Sequence, residues 1–194
     1  MTDCPIDFVA TLSDRLSSSP NDPTLLSQLS SHLNTLRASG TLIADSHHEE
    51  LDRRGTDLWN LATRLKRESN TSSASKNNTD KKRLALVRVF AFQLLDSAQN
   101  PGCLRSGARG ENLFQSTVRL LKIANKAAKF CLEQEQVESC LMVLERAADY
   151  EDALSKLVHK LGTEDKALQQ RLKMEYFELR VALVSRRGCY ASLP

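Results

Sequence analysis

The stretch between residues 112 and 154 constrains the fold of this chain more than any other segment. Its apolar side chains recur at steps of three and four, which places them on one side of a 3.6-residue helix. The first half of the stretch has Phe114, Val118, Leu121, Ala124, Ala128, Cys131 and Leu132 at these positions, and the second half has Val137, Cys140, Leu141, Leu144 and Ala147. A short polar segment separates the halves, so the stretch is predicted to form a helical hairpin.

The predicted hairpin also has small residues where its two helices would meet. The offsets that tetratricopeptide repeats use inside a hairpin are occupied here by Ala127, Ala128, Cys131, Cys140, Leu144 and Ala147. Aromatic residues make up only 5% of the 194 residues, and a composition rich in Leu, Ala and charged residues favours helices over sheets. We therefore predict an all-α fold of antiparallel helical hairpins in a tetratricopeptide-like α-solenoid, an architecture that binds other proteins.

Breaks in the helical pattern divide the chain into five parts. Residues 1–44 are predicted to form amphipathic helices, the second of which ends at Gly40. Residues 45–68 are predicted to form a helix that contains the single tryptophan, and residues 69–80, which lack large apolar side chains, a flexible linker. Residues 81–187 are predicted to be the helical-repeat region, tetratricopeptide-like, and residues 188–194 an irregular tail.

Two positions in the tryptophan-containing helix carry specific expectations. Gly55 followed by Thr56 could split the helix, because glycine costs about 1 kcal/mol relative to alanine inside a helix and threonine can cap a new start. Trp59 is interpreted as a packing anchor in the core, whose replacement by alanine would cost roughly 3 to 5 kcal/mol. The alternative role for Trp59 is a binding hot spot for a partner, since tryptophan is enriched at interfaces.

A search for catalytic and metal-binding patterns finds no candidate site. The chain has no G-x-S-x-G, P-loop or H-E-x-x-H pattern. His47-His48-Glu49-Glu50 resembles a ligand cluster, but adjacent residues on a helix point about 100° apart and no second cluster completes a site. The glycine-containing segment at residues 106–110 lacks the length and the lysine of a phosphate loop. The sequence therefore predicts a protein that is not an enzyme, with no cofactor, metal or small-molecule substrate.

Cysteine usage and hydropathy bear on the environment of the chain. The five cysteines are an odd number without a C-x-x-C pair, which predicts free thiols in a reducing compartment. No apolar run approaches the roughly 18 to 20 residues that cross a bilayer, so neither a signal peptide nor a membrane-spanning helix is predicted.

A basic stripe is the candidate site that the sequence does offer. Arg119, Lys122, Lys126 and Lys129 lie at steps of three, four and three, an arc of about 80° opposite the apolar face of the same helix. Three interpretations are open: an ordinary solvated face, a surface for an acidic protein partner, or a nucleic-acid contact. Direct nucleic-acid binding is the least favoured, because no aromatic residues interleave with the stripe for stacking on bases.

Three blocks of sequence resemble the N-terminal region of the fungal meiotic crossover and synapsis scaffolds called the Zip-four or sporulation-specific twenty-two family. The blocks are GTDLWNLATRL at residues 55–65, RVFAFQLLD at residues 88–96, and the segment from RLLKIA at residues 119–124 to LERAADY at residues 144–150. The resemblance implies a non-enzymatic helical-repeat scaffold in the nucleus, on meiotic chromosomes. It implies partners among the crossover and synapsis factors that assemble the synaptonemal complex, and no catalytic residue.

The chain departs from that family in two ways. Family members are much longer, so residues 186–194, which have no helical pattern, suggest a fragment or a truncated gene model. The proline expected soon after the second helix of a repeat is also missing, with Asp152 near its place. A general tetratricopeptide adaptor unconnected with meiosis is the alternative, and for that role Lys122, Asn125 and Lys129 are the residues that would converge on a concave face.

Overall fold

The computed structural model describes residues 5–18, 24–71, 78–99, 110–160 and 162–191. These residues form the helices α1 (Pro5–Ser18), α2 (Thr24–Thr71), α3 (Asn78–Ala98), α4 (Gly110–Glu133), α5 (Val137–Leu157) and α6 (Thr163–Ala191), with a 3-10 turn at Val158–Lys160. The described residues contain no strand, which confirms the predicted all-α fold. The tetratricopeptide-like repeat arrangement stays a prediction.

The chain divides into two compact units, Met1–Cys103 and Leu104–Pro194. Helix α3 therefore belongs to the first unit, although the predicted helical-repeat region at residues 81–187 grouped it with the later helices. The flexible linker predicted at residues 69–80 is helical at both ends, since α2 runs to Thr71 and α3 begins at Asn78. Residues 72–77 of the linker and residues 106–109 of the glycine-containing segment lie outside the described residues. Residues 188–191 of the predicted irregular tail are helical, since α6 runs to Ala191.

In the first unit, α3 lies antiparallel to the C-terminal part of α2. Gly55 of α2 adjoins Leu95, while Thr63 accepts a hydrogen bond from Arg88, so residue numbers rise along one helix as they fall along the other. Helix α3 is buried continuously from Val87 to Leu95. Such burial all round is typical of a helix that packs against neighbours on more than one side.

Helix α2 is bent. The ring of Phe8 in α1 stacks on His32 of α2 with centroids 4.0 Å apart, and it meets Phe90 of α3 at 5.8 Å. Because α3 is antiparallel to α2, Phe90 lies level with Asn60. In a straight helix, with a rise of 1.5 Å per residue, His32 and Asn60 would lie roughly 40 Å apart along the axis. Two ring contacts cannot bridge that distance, so the helix axis turns between His32 and Asn60.

The two glycine-based expectations for this region are wrong. The helix predicted to end at Gly40 continues without interruption from Thr24 to Thr71. Gly55 does not split it either: a Cβ added there would lie 2.8 Å from Cγ of Leu95 and 3.1 Å from the Leu95 backbone nitrogen. This glycine lets α2 and α3 approach closely, and that packing outweighs its low helix propensity.

In the second unit, α4 and α5 form the predicted hairpin. Helix α4 ends at Glu133, and Glu135 follows with φ 58°, a left-handed conformation at which the chain reverses. The Gln136 amide donates to the Cys131 carbonyl at 2.9 Å and the Glu135 amide to the Leu132 carbonyl at 3.2 Å, so the last carbonyls of α4 are satisfied. The six residues predicted to meet inside the hairpin are all buried: Ala127, Ala128, Cys131, Cys140, Leu144 and Ala147.

Helix α6 packs against both helices of the hairpin. Its buried stripe consists of Leu172, Tyr176, Leu179 and Leu183. Arg186 donates a hydrogen bond to the carbonyl of Leu132 at the end of α4. Helix α4 therefore contacts both later helices of its unit, α5 and α6.

Candidate functional site

The basic stripe lies on the solvent-facing side of α4. Arg119, Lys126 and Lys129 are exposed and Lys122 is half-buried, while the opposite side of the helix packs on α5 and α6. The four cations span three turns of one helix and project in nearly the same direction. The spacing in the sequence therefore located this surface correctly. Chemically, it offers a row of positive charges to a negatively charged partner.

Asn125 does not share this surface, which corrects one expectation. Its side chain has 0% exposure. Nδ2 donates to the carbonyl oxygen of Leu172 at 3.1 Å and lies 3.5 Å from a carboxylate oxygen of Glu175. Asn125 thus joins α4 to α6, and it cannot converge with Lys122 and Lys129 on a binding face of the adaptor type.

Helix α6 carries a second surface that the sequence reasoning missed. Four large apolar side chains on it are exposed by 44 to 68% of their area: Met174, Phe177, Val181 and Val184. We call these residues the α6 apolar stripe. A shallow groove of about 550 Å³ runs along it. The signal in the sequence is the spacing of these residues in steps of three, four and three. Exposed apolar patches of this kind are typical of interaction sites.

The acidic and histidine cluster on α2 is organised by ion pairs. The carboxylate of Glu50 accepts hydrogen bonds from Arg53 at 2.6 Å and from Arg54 at 2.7 Å. These two guanidinium groups lower the pKa of Glu50 to about 2. Among the described residues, no group of three His, Cys, Asp or Glu side chains is placed to hold a metal ion. Glu50 therefore functions as a surface ion-pair partner within its own helix.

Trp59 is half-buried, so its assignment to the core is wrong. The guanidinium of Arg88 lies 5.3 Å from the centre of the indole ring, and Arg88 is the more buried of the two, with 6% exposure. The arginine covers one face of the ring, where a cation–π contact stabilises both side chains. Because the ring is partially exposed, the alternative role of Trp59 as a binding hot spot for a partner stays open.

The two cysteines of the hairpin, Cys131 and Cys140, are buried. Burial raises the pKa of the Cys140 thiol to about 12, although Arg186 acts in the opposite direction. Because the thiolate is the nucleophile, Cys140 should be inert at neutral pH. The side chains of Cys4, Cys103 and Cys189 lie outside the described part of the chain.

We expect the hairpin thiols to resist modification by a disulfide reagent in the folded protein. In a variant with Cys4, Cys103 and Cys189 changed to serine, the two remaining thiols should react with Ellman's reagent at pH 8 at least about 100 times more slowly than in 6 M guanidinium, because they are buried and Cys140 is almost entirely protonated. The absorbance of the released thiolate measures both rates. Rapid modification of two thiols in the folded variant would contradict the burial of the hairpin interface.

Comparison of the chain with protein-family models, with curated proteins and with solved structures found no match. In the helices that the structure describes, no segment is both long and apolar enough to span a membrane.

Proposed function

We propose that this protein is a non-enzymatic scaffold that binds other proteins through the basic stripe of α4. The observation that carries the proposal is the position of Arg119, Lys122, Lys126 and Lys129 on the outer side of a helix whose inner side is packed. Four aligned cations favour a partner with a complementary acidic surface, since charge complementarity accelerates association and excludes partners of like charge.

The biological setting of the proposal is meiosis, and it rests on the three sequence blocks shared with the crossover and synapsis scaffolds. In this setting the protein acts in the nucleus, on meiotic chromosomes, and its partners are crossover and synapsis factors. A fluorescent fusion should form foci on chromosomes in meiotic prophase, and deletion should reduce crossovers. Expression confined to vegetative cells would count decisively against a meiotic role.

The basic stripe can be tested by charge reversal. We expect a variant with Arg119, Lys122, Lys126 and Lys129 all changed to Glu to bind an acidic probe, a polyglutamate peptide, at least about tenfold more weakly than the parent protein. Exposed ion pairs contribute about 0.2 to 1 kcal/mol each, so four lost pairs correspond to about 0.8 to 4 kcal/mol, a range that includes the roughly 1.4 kcal/mol of a tenfold change. The reversed charges also repel the acidic probe. Fluorescence anisotropy of the labelled peptide measures the affinity.

A matched control separates the stripe from overall charge. Arg64, Arg67, Lys81 and Lys156 are exposed cations on other helices. Changing these four to Glu alters the net charge equally, and we expect it to reduce probe binding less than the stripe variant does. Equal losses in the two variants would exclude the stripe as the binding site.

DNA binding by the same four cations is the second candidate function. The same two variants are compared on a labelled DNA duplex at 50 and 200 mM salt. A stripe that contacts phosphates would show a steep salt dependence in the parent protein, and only the stripe variant would lose it. We expect the two variants to differ on the peptide but not on DNA. If the two variants instead differed on DNA but not on the peptide, the partner of the stripe would be a nucleic acid and not an acidic protein.

A further inference from the structure

The α6 apolar stripe has the spacing of a coiled-coil seam. Met174, Phe177, Val181 and Val184 alternate by three and four residues, and the same alternation continues backwards to Gln170 and Ala167, which are also exposed. The a positions of the heptad are occupied by Ala167, Met174 and Val181, and the d positions by Gln170, Phe177 and Val184. The seam therefore extends over 18 residues of one helix.

We propose that this seam binds the same seam of a second copy of the chain, with the two α6 helices parallel and in register. At 100° per residue, the seam lies roughly 150° around the helix from the buried stripe that contains Leu172 and Leu179. Helices α4 and α5 of each copy are thus on the far side of α6 and leave the seam accessible. The proposal does not depend on the function of the basic stripe.

The polar layer at Gln170 selects the parallel arrangement. In a parallel pair, Gln170 faces its own counterpart, and the two amides can hydrogen-bond to each other across the seam. In an antiparallel pair with full overlap, Gln170 would face Val181 of the second copy and leave a polar group against an apolar one. Single polar layers of this kind are known to set the register of coiled coils at some cost in stability.

Charges beside the centre of the seam complement one another in the same arrangement. Lys173 occupies a g position and Glu178 the e position that follows five residues later, so each Lys173 approaches Glu178 of the second copy. The Lys173 ammonium already lies at the edge of the seam, 6.0 Å from the centre of the Phe177 ring and 3.0 Å from Glu151. The antiparallel pair would instead bring Lys173 against Arg180 and Arg171 against Glu178, so the polar layer at Gln170, and not the charges, selects the orientation. One unfavourable parallel pair, Lys166 with Arg171, lies at the end of the seam.

The state of association tests the dimer directly. We expect the full chain to sediment as a dimer at micromolar concentrations, and Val181→Glu to raise the dissociation constant at least about tenfold, because it buries two carboxylates in the seam. Val181 is 66% exposed within one copy, so the variant should keep its helical circular dichroism spectrum. Ala182→Glu, an exposed position one residue outside the seam, is the matched control and should remain dimeric. A monomeric parent protein would overturn the proposal, as would a dimer that Val181→Glu does not weaken.

A charge swap tests the contact across the seam, and a cysteine crosslink tests its orientation. Glu178→Lys should weaken the dimer, and adding Lys173→Glu should restore it, since the double change re-creates the opposite-charge pair. With Cys4, Cys103 and Cys189 changed to serine, Gln170→Cys should form an interchain disulfide under mild oxidation, because parallel helices place the two thiols in one layer. Antiparallel helices would hold these thiols roughly 16 Å apart. A dimer that resists this crosslink would overturn the parallel arrangement.

Discussion

Asn125→Asp is expected to lower the free energy of unfolding by about 3 to 5 kcal/mol at neutral pH, the usual cost of an uncompensated buried charge. Asn125 is fully buried and donates to the carbonyl oxygen of Leu172 at 3.1 Å. A carboxylate at this position cannot donate, and it would face that carbonyl and the nearby carboxylate of Glu175. Chemical denaturation monitored by circular dichroism measures the loss.

The loss should depend on pH in a defined direction. Burial and the charge of Glu175 disfavour the ionised form, so the pKa of the introduced carboxyl is raised in the folded state above its unfolded value of about 3.9. Between the two pKa values the folded state binds more protons than the unfolded state. The free energy of unfolding of the variant therefore falls as pH rises. The difference from the parent protein should therefore be small below about pH 4 and reach its full size above the folded pKa. A difference that is constant from pH 4 to pH 8 would contradict this explanation.

Asn125→Leu is the matched control, because leucine has nearly the same branched shape without charge. The parent side chain also leaves its Oδ1 buried without a hydrogen-bond partner, and leucine removes that unsatisfied acceptor. We expect Asn125→Leu to stay within about 1 kcal/mol of the parent protein. If leucine destabilised as much as aspartate, the cost would be steric rather than electrostatic.

The hairpin of α4 and α5 shows how far periodicity alone can predict structure. Every residue predicted to be apolar and inward-facing on α4 is buried, because a 3.6-residue repeat fixes which side chains share a face. On α5, Val137 and Leu141 are only half-buried. The periodicity identifies the apolar face of a helix, but it does not show how far the neighbouring helices cover the residues at the edges of that face.

The same limit explains why Asn125 was wrongly predicted to be exposed, whereas the exposed side of the basic stripe was predicted correctly. At 100° per residue, Asn125 lies only about 40° from Lys129 around α4, at the border between the exposed and packed sides. Its burial is decided by α6, about 50 residues later in the chain, through the carbonyl of Leu172. The cations of the basic stripe depend less on such information, because long lysine and arginine side chains keep their charged ends in water even near the border. Helix α6 posed a related difficulty, since apolar residues on two opposite faces leave no single face that must be the core.

Gly55→Ala is expected to destabilise the protein by about 1 to 3 kcal/mol, the range of overpacked cores, although glycine to alanine normally stabilises a helix by about 1 kcal/mol. The added Cβ would lie 2.8 Å from Cγ of Leu95 and 3.1 Å from the Leu95 backbone nitrogen. Leu95 is 1% exposed, so its side chain has little room to move aside. Thermal and urea unfolding of the variant measure both the sign and the size of the change.

Two comparisons assign the cost of Gly55→Ala to this contact. A Cβ at Gly162 would meet nothing within 4 Å, so Gly162→Ala should leave stability unchanged within about 1 kcal/mol. In a Leu95→Ala background, Gly55→Ala should cost at least about 1 kcal/mol less than in the parent protein, because two of the three crowded atoms are gone and contacting residues are energetically coupled. The backbone nitrogen remains, so part of the cost should persist. Additive effects of the two changes would mean that the cost of Gly55→Ala does not arise from crowding against the Leu95 side chain.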